Sequence, residues 1–387
     1  MIPYSRQNIS AKDIQAVTRV MQSDFLTQGP EAGKFEDSLS EKFSVNHAVV
    51  CSSGTAALHL AYASLRISDP LVGIVPAISF SATANAIHYL GGKVVFCDVD
   101  PHTGLICPNS LSEILNDLAD KDASPGLIAP VSFAGAVAPL PEIYRLSRNK
   151  GWRIVEDAAH SPGAFASDSD GKKYSSGNCK FSDASCLSFH PVKHICCGEG
   201  GAVLTNDDGL ANLMKNERSH GIVRPYGADH DTPWFYEQRE LGWNYRLTDI
   251  QAALGSSQLN SLDEQLQERR NLADRYHHYL SLPPFDGFLS PPSPSPGHAW
   301  HLYIIRFLEP GVRDAAHKFL KDKGIMTQVH YVPIYRHPYY ERIHGKIHLP
   351  GAEKFYHSCL SIPLFPTLKE EEQDRVIHEL KNFLQSR

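Results

Sequence analysis

The strongest constraint on the fold is a rhythm: short runs rich in Val, Ile and other strand formers recur through the first two thirds of the chain. They fall at 47–51, 72–75, 93–98, 127–132, 153–156, 184–188 and 202–205, and helical patterns separate most of them. The 55–65 stretch sets Ala56, Leu60 and Ala63 at helical spacing, and the 140–150 stretch carries Pro141, which suits a first helical turn. Alternation of this kind builds an α/β fold: a mostly parallel sheet, here of seven strands, covered by helices on both faces.

A chain of 387 residues is long for one simple core, so a second domain is expected. The division falls near residue 250, with a large α/β domain over 1–250 and a smaller α+β domain over 251–387. Thr248-Asp249-Ile250-Gln251 reads as a capping box, because the Thr hydroxyl and the Gln amide three residues later can satisfy each other's backbone donors. It opens one long helical pattern reaching about Leu280 that bridges to the second domain. The Pro-rich 282–297 stretch suits neither a helix nor a central strand and predicts an exposed connection. Beyond it, 301–307 reads as a strand, 313–323 as a helix, 326–330 as a further short segment and 370–384 as a terminal helix.

Composition narrows the function. Hydrophobic residues make up 42% and charged residues 21%, which fits a globular protein and excludes disorder. A net charge of −6 with no Lys/Arg-rich run leaves no electrostatic footprint for nucleic acid, so a small-molecule partner is expected. The opening Met1-Ile2-Pro3-Tyr4-Ser5-Arg6 lacks a secretory layout, and no apolar run is long enough to span a bilayer, which predicts a cytoplasmic address without membrane attachment. The eight cysteines show no Cys-x-x-Cys spacing and the twenty histidines are scattered, so no metal site is expected. Cys51, Cys97 and Cys186 lie in apolar runs, where a reduced thiol packs as a small hydrophobe.

Three strand ends carry chemistry. Ser52-Ser53-Gly54-Thr55-Ala56 joins a strand to a helix; its small residues and free helix-start amides suit a phosphate, although a plain N-capping turn reads the same way. In Glu156-Asp157-Ala158-Ala159-His160 an acidic pair ends an apolar strand, which calls for a cationic partner such as a pyridinium nitrogen, or else for an Asp that caps a following helix. The third is Ser188-Phe189-His190-Pro191-Val192-Lys193-His194-Ile195-Cys196-Cys197-Gly198-Glu199-Gly200-Gly201. Here a lysine sits in an apolar, Gly-rich loop, where desolvation favours the neutral amine that Schiff-base chemistry needs; an ordinary surface-loop lysine is the alternative. An anion cradle, an acid for a ring nitrogen and a loop lysine, in that order along a parallel sheet, are the three parts of a pyridoxal-phosphate site.

These motifs resemble the DegT-type sugar-nucleotide aminotransferases, within the fold type I group of pyridoxal-phosphate enzymes. The likeness runs from Ile2 to the last helix and rests above all on the Ser188 to Gly201 motif. It implies pyridoxal 5'-phosphate held by Lys193 as a Schiff base, with Asp157 on the protonated ring nitrogen. Ser53, Gly54, Thr55 and Ser188 would hold the phosphate, Phe80 would stack on the ring and His160 would face a cofactor oxygen. Asn244, in Gly242-Trp243-Asn244-Tyr245-Arg246, would reach the phosphate of the neighbouring subunit, which implies a homodimer with shared sites. Tyr4, the Leu26-Thr27-Gln28-Gly29 run and Val329-His330-Tyr331-Val332 would line the sugar and nucleotide pocket, and they resemble the pseudaminic acid branch, which acts at the 4-keto position of a UDP sugar. The resemblance also implies L-glutamate as amino donor and ping-pong kinetics. Ser132-Phe133 departs from the His-Tyr of many relatives, whereas Lys193 keeps the lysine that the family's dehydratases replace by histidine. Another UDP, GDP or dTDP keto sugar, and a cofactor-binding protein without turnover, stay open as alternatives.

Overall fold

The computed structural model describes residues 1–225 and 231–386. All seven expected runs form strands: β1 (His47–Cys51), β2 (Val72–Pro76), β3 (Lys93–Cys97), β4 (Leu127–Ile128), β5 (Arg153–Asp157), β6 (Ala184–Ser188) and β7 (Gly201–Thr205). They make one sheet in the order β1-β7-β6-β5-β4-β2-β3. Only β7 opposes the rest, pairing antiparallel with both β1 and β6. Val49, Val50, Ile74, Val75 and Val155 are fully buried, as in a sheet whose two faces are both covered. The fourth run is shorter than its sequence suggests, because Pro130 brings no N–H to the ladder; beyond it Val131 makes a single bridge to Asp157.

The helix from Gly54 to Ser64 follows β1 directly, and Leu140–Ser147 continues into a 3-10 turn at Arg148–Lys150. The capping box at Thr248 and Gln251 is formed. The pattern behind it is two helices, Asp249–Asn260 and Leu262–Leu280, and not one. At the joint the Ser261 hydroxyl donates to Gln258 O (3.1 Å), a local bond that competes with the helical ladder.

After residue 280 a second sheet forms from β8 (Leu289–Ser290), β9 (Tyr303–Phe307) and β10 (Cys359–Ile362), all antiparallel. Helices Val312–Asp322 and Glu370–Gln385 share its apolar core. The 282–297 stretch corrects the expectation of an exposed connection in part: it is exposed at 282–283, 286–288 and 293–296, but it contains β8, buries Phe285 and Leu289, and presses Gly297 against Phe165 O. The 326–330 segment adds only one bridge, Gln328 to Ser361. A hairpin, Phe165–Ser167 with Lys173–Ser175, went unread in the sequence.

Two features of this architecture build the site. The parallel strands deliver their carboxyl ends, with the loops that follow, to one edge. The chain start is tied to the second sheet, with Ile2 N–H donating to Gly324 O and Met326 N–H to Ile2 O (both 2.9 Å), so Tyr4 is carried beside the 328–332 segment.

Candidate active site

At the carboxyl edge of the sheet lies a cavity of about 680 Å³, within the usual size for a small-molecule site. Its wall contains Tyr4, Ser53, Gly54, Thr55, Phe80, Asp157, His160, Ser188, Lys193, Val329, His330, Tyr331 and Val332, so residues from six separate segments of sequence converge. A shallower groove of about 500 Å³ at the amino ends of the strands, between Trp152, Lys180 and Asp207, holds none of the expected residues.

Lys193 is half-buried on the loop between β6 and β7; the hydration its amine loses there pushes it down to about 8, against the pull of the Asp157 carboxylate. Asp157, at the end of β5, accepts from Thr83 Oγ1 (2.7 Å) and Ala159 N–H (3.2 Å). Burial still raises its pKa, because these two donors and Lys193 compensate only part of the lost hydration. No helix begins after Asp157, so it is not a helix cap. Around the pair stand rings that burial keeps neutral: His160 is driven well below the ordinary imidazole range, and His330 to about 3, with Lys193 adding to each.

Across the cavity the Gly54–Ser64 helix begins. Ser53 caps it, accepting from Ala56 N–H (3.1 Å), which leaves the first-turn amides of Gly54 and Thr55 without a helical acceptor. Both the capping and the anion-cradle readings of this turn are therefore compatible. A side chain at position 54 would come within 2.8 Å of Ser188 Cβ, so glycine keeps a cradle open between helix start and β6. Free amides, a small-residue gap and the Ser188 hydroxyl suit a phosphate.

Phe80 stands 61% exposed at the cavity mouth, its ring 6.2 Å from that of Tyr331. The structure does not bring Leu26, Thr27, Gln28, Gly29 or Asn244 to this wall. Thr27 bridges to Thr248, Gly29 N–H donates to Asp249 (2.6 Å), and Asn244 bridges to Ser219 on the exposed stretch that carries Leu241. Arg218 is a strut, paired with Glu36 (2.5 Å) and donating to Val50 O (2.7 Å); Arg224 and Arg246 also lie off the wall. Among the described residues, Lys193 is the one lysine or arginine that lines the cavity. Sequence reasoning missed Thr83, Gln328, His190, Glu199 and His337. Thr83 had a signal, since it lies one helical turn after Ser79 in the motif that holds Phe80.

A family model described as the DegT/DnrJ/EryC1/StrS aminotransferase family matches residues 7–381. The chain belongs to this family. This member is 37% identical over 371 residues to the UDP-4-amino-4,6-dideoxy-N-acetyl-beta-L-altrosamine transaminase of Campylobacter jejuni subsp. jejuni serotype O:23/36, covering 94% of this chain and 92% of that one. It is 32% identical over 392 residues to the spore coat polysaccharide biosynthesis protein SpsC of Bacillus subtilis, covering 99% and 97%. Among solved structures, Helicobacter pylori PseC, an aminotransferase involved in the biosynthesis of pseudoaminic acid, superposes with a TM-score of 0.90 at 31% identity over the whole of both chains. The fold type I architecture expected from the motifs is thus the architecture of this family member.

Proposed function

We propose that this protein is a pyridoxal-phosphate-dependent aminotransferase that moves the amino group of L-glutamate to C4 of a UDP-linked 4-keto-6-deoxy-N-acetyl sugar, the reaction class of pseudaminic acid formation. The observation that carries it is the juxtaposition, in one cavity, of a half-buried amine held near 8 with a carboxylate that keeps hydrogen-bonding capacity to spare. The likeness to the Campylobacter jejuni UDP-sugar transaminase and to PseC supports the substrate class.

Pyridoxal phosphate, when bound, supplies an aldehyde carbon and an aromatic ring that accepts electrons. Ser53, Gly54, Thr55 and Ser188 hold its phosphate through amides and hydroxyls, and Phe80 covers the ring. Asp157 keeps a proton on the ring nitrogen. Lys193 anchors the group and, as a base of matched strength, takes the proton from the alpha carbon of the donor and later returns one to the sugar carbon. Tyr4, Gln328 and the Val329 to Val332 segment bound the sugar side.

The working unit is proposed to be a homodimer. Asn244 lies away from its own cavity, on a stretch where Trp234, Tyr236 and Leu241 are exposed, and this supports a role for it against a neighbouring subunit, together with Leu26, Thr27, Gln28 and Gly29. The division near residue 250 is proposed too, supported by a second sheet with its own core beyond that point. A cytoplasmic setting is supported by eight free cysteines, six of them buried.

The test is incubation of the cofactor-loaded protein with glutamate and a panel of UDP-, GDP- and dTDP-linked 4-keto sugars, with mass analysis of the products. Amination of the UDP N-acetyl sugar ahead of the others is the expected result. Amination of none, with active relatives run as controls, overturns the reading.

A further inference from the structure

Behind the cavity wall, His160 is backed by two buried histidines, His301 and His194, that the proposed mechanism leaves unused. The His301 ring packs against that of His160, with centroids 4.3 Å apart, and His194 follows at 5.4 Å from His301. All three are buried. Arg269, also buried, closes the layer from below and donates to the carbonyls of Trp300 (3.0 Å), His301 (3.4 Å) and Leu364 (3.2 Å), which fixes the strand lead-in that carries His301.

The hydrogen bonds around His160 determine its protonation. Nδ1 accepts from the backbone N–H of Ala134 (3.4 Å), and an amide can only donate, so Nδ1 carries no proton. The single proton of the neutral ring is therefore on Nε2, which lies 3.4 Å from Tyr331 Oη on the cavity side. An imidazolium would set two donors against each other at Ala134. That amide is itself held from below: Leu302 N–H donates to Ala134 O (3.0 Å) and Ala299 N–H to Gly135 O (2.8 Å), while Ala134 sits at φ 58° and Gly135 at φ 109°. A side chain at Gly135 would approach Trp300 N to 2.6 Å, so the two segments lie in direct backbone contact. The same lead-in thus positions both the amide that binds Nδ1 and the ring that His160 rests on.

We propose that the Ala134 amide and the His301 ring together lock His160 as a neutral imidazole with its proton on Nε2, making it an obligate hydrogen-bond donor to an anionic oxygen of the ligand in the cavity. His301 is in this sense a positioning residue. Only the identity of that oxygen, the phenolate of pyridoxal phosphate, rests on the proposed function. The charged and titratable groups that face His160 are Lys193, His194, His301, His330 and Tyr331; burial first, then Lys193, His330 and His194, disfavour a second proton on it.

Neutron diffraction from a deuterated crystal of the full chain tests the lock without reference to the ligand's chemistry. Deuterium on Nε2 alone is expected, and deuterium on Nδ1, or on both nitrogens, overturns the proposal. The role of His301 is read by titrating the visible absorption band of the protein loaded with pyridoxal phosphate. A misaligned donor stabilises the phenolate less, so the band's midpoint in His301→Ala should rise by about one pH unit. His301→Phe, which keeps a flat ring in place, should stay within a few tenths of wild type. A His301→Ala midpoint equal to wild type, or a His301→Phe shift as large as that of alanine, removes His301 from the assignment. A protein that shows the expected deuterium position yet takes up no pyridoxal phosphate keeps the lock and loses the functional reading.

Discussion

Glu156 and Asp157 are neighbours on one strand, both buried, and the pleat sends them to opposite faces of the sheet. Glu156 is saturated: Ser132 Oγ (2.5 Å) and Ser176 Oγ (2.6 Å) donate to one oxygen, and Gly177 N–H (2.9 Å) and Ser185 Oγ (2.7 Å) to the other. Asp157 receives two donors, and its remaining capacity faces a cavity that also holds Lys193. Two carboxylates of equal burial thus have different work. A filled acceptor set joins segments, and an unfilled one waits for a ligand. The Ser132 that departs from the family's common histidine belongs to the filled side, since its hydroxyl also accepts from Ala138 N–H (3.1 Å) while it donates to Glu156.

The largest expected effects break this comparison most directly. Lys193→Ala should reduce turnover to background, and Asp157→Asn should cost roughly a thousandfold in kcat while leaving the unfolding transition nearly unmoved, because an amide cannot hold a proton on a ring nitrogen. Glu156→Gln should show the reverse. Whichever way its amide turns, the new NH2 group faces two donors, the Ser132 and Ser176 hydroxyls or Gly177 N–H with the Ser185 hydroxyl, so hydroxyls must reverse and bonds be lost, and stability should fall by about 1–3 kcal/mol in urea titration. Its turnover per folded molecule should remain within about threefold of wild type. Loss of activity in Glu156→Gln as deep as in Asp157→Asn would dissolve the distinction between the two faces.

The sequence carried one side of this contrast better than the other. Asp157 and Lys193 were legible because a charge in an apolar setting is costly and therefore conspicuous. The seven strands were legible for the related reason that Val and Ile runs covered on two faces leave no polar alternation. The Glu156 nest was not readable: its donors come from Ser132, Ser176, Gly177 and Ser185, small residues common in any loop, and only strand order brings them together. The hairpin over Phe165–Ser167 and Lys173–Ser175 was too short to register as two runs, and the break at Ser261 turns on one hydroxyl. The His160–His301–His194 layer joins three loops that sequence distance conceals. Leu26, Thr27, Gln28, Gly29 and Asn244 entered through family resemblance alone, and their distance from the cavity of their own chain is information that no pattern of residues contained.

A smaller effect sharpens the comparison through pH. In the proposed function the neutral amine of Lys193 is the nucleophile, and with its pKa pushed down to about 8 the neutral fraction rises as pH increases through that value. Stopped-flow mixing of cofactor-free protein with pyridoxal phosphate should therefore give a rate that climbs about tenfold from pH 7 to 9 and then levels, whereas an ordinary lysine would climb about a hundredfold without levelling. Asp157 pulls the Lys193 pKa upward, so Asp157→Asn should move the midpoint to lower pH. Glu156→Gln, on the other face, should leave it in place. Equal displacement by both variants would mean that the sheet does not separate their fields.

Thr83→Val carries the smallest expected effect. The Thr83 hydroxyl gives its one proton to Asp157 Oδ2 at 2.7 Å, and the Ser79 hydroxyl, at 2.8 Å, can donate to it in turn, so Ser79, Thr83 and Asp157 form a chain of donors ending on the carboxylate. Valine keeps the shape and removes the bond. That bond holds the Asp157 pKa down, so its loss raises it further and leaves less of the carboxylate ionised to retain a ring proton. A hydrogen bond to a charged group is worth about 1.5–3 kcal/mol at most, and water or ligand contacts will recover part of it, so kcat should fall by about tenfold with KM for the donor little changed. The loss should deepen as pH falls toward the raised pKa, since protonation of Asp157 then competes directly with its function. A loss independent of pH, or one expressed in KM alone, would show that Thr83 shapes the wall without tuning the acid, and the unfilled capacity of Asp157 would have to be explained by position alone.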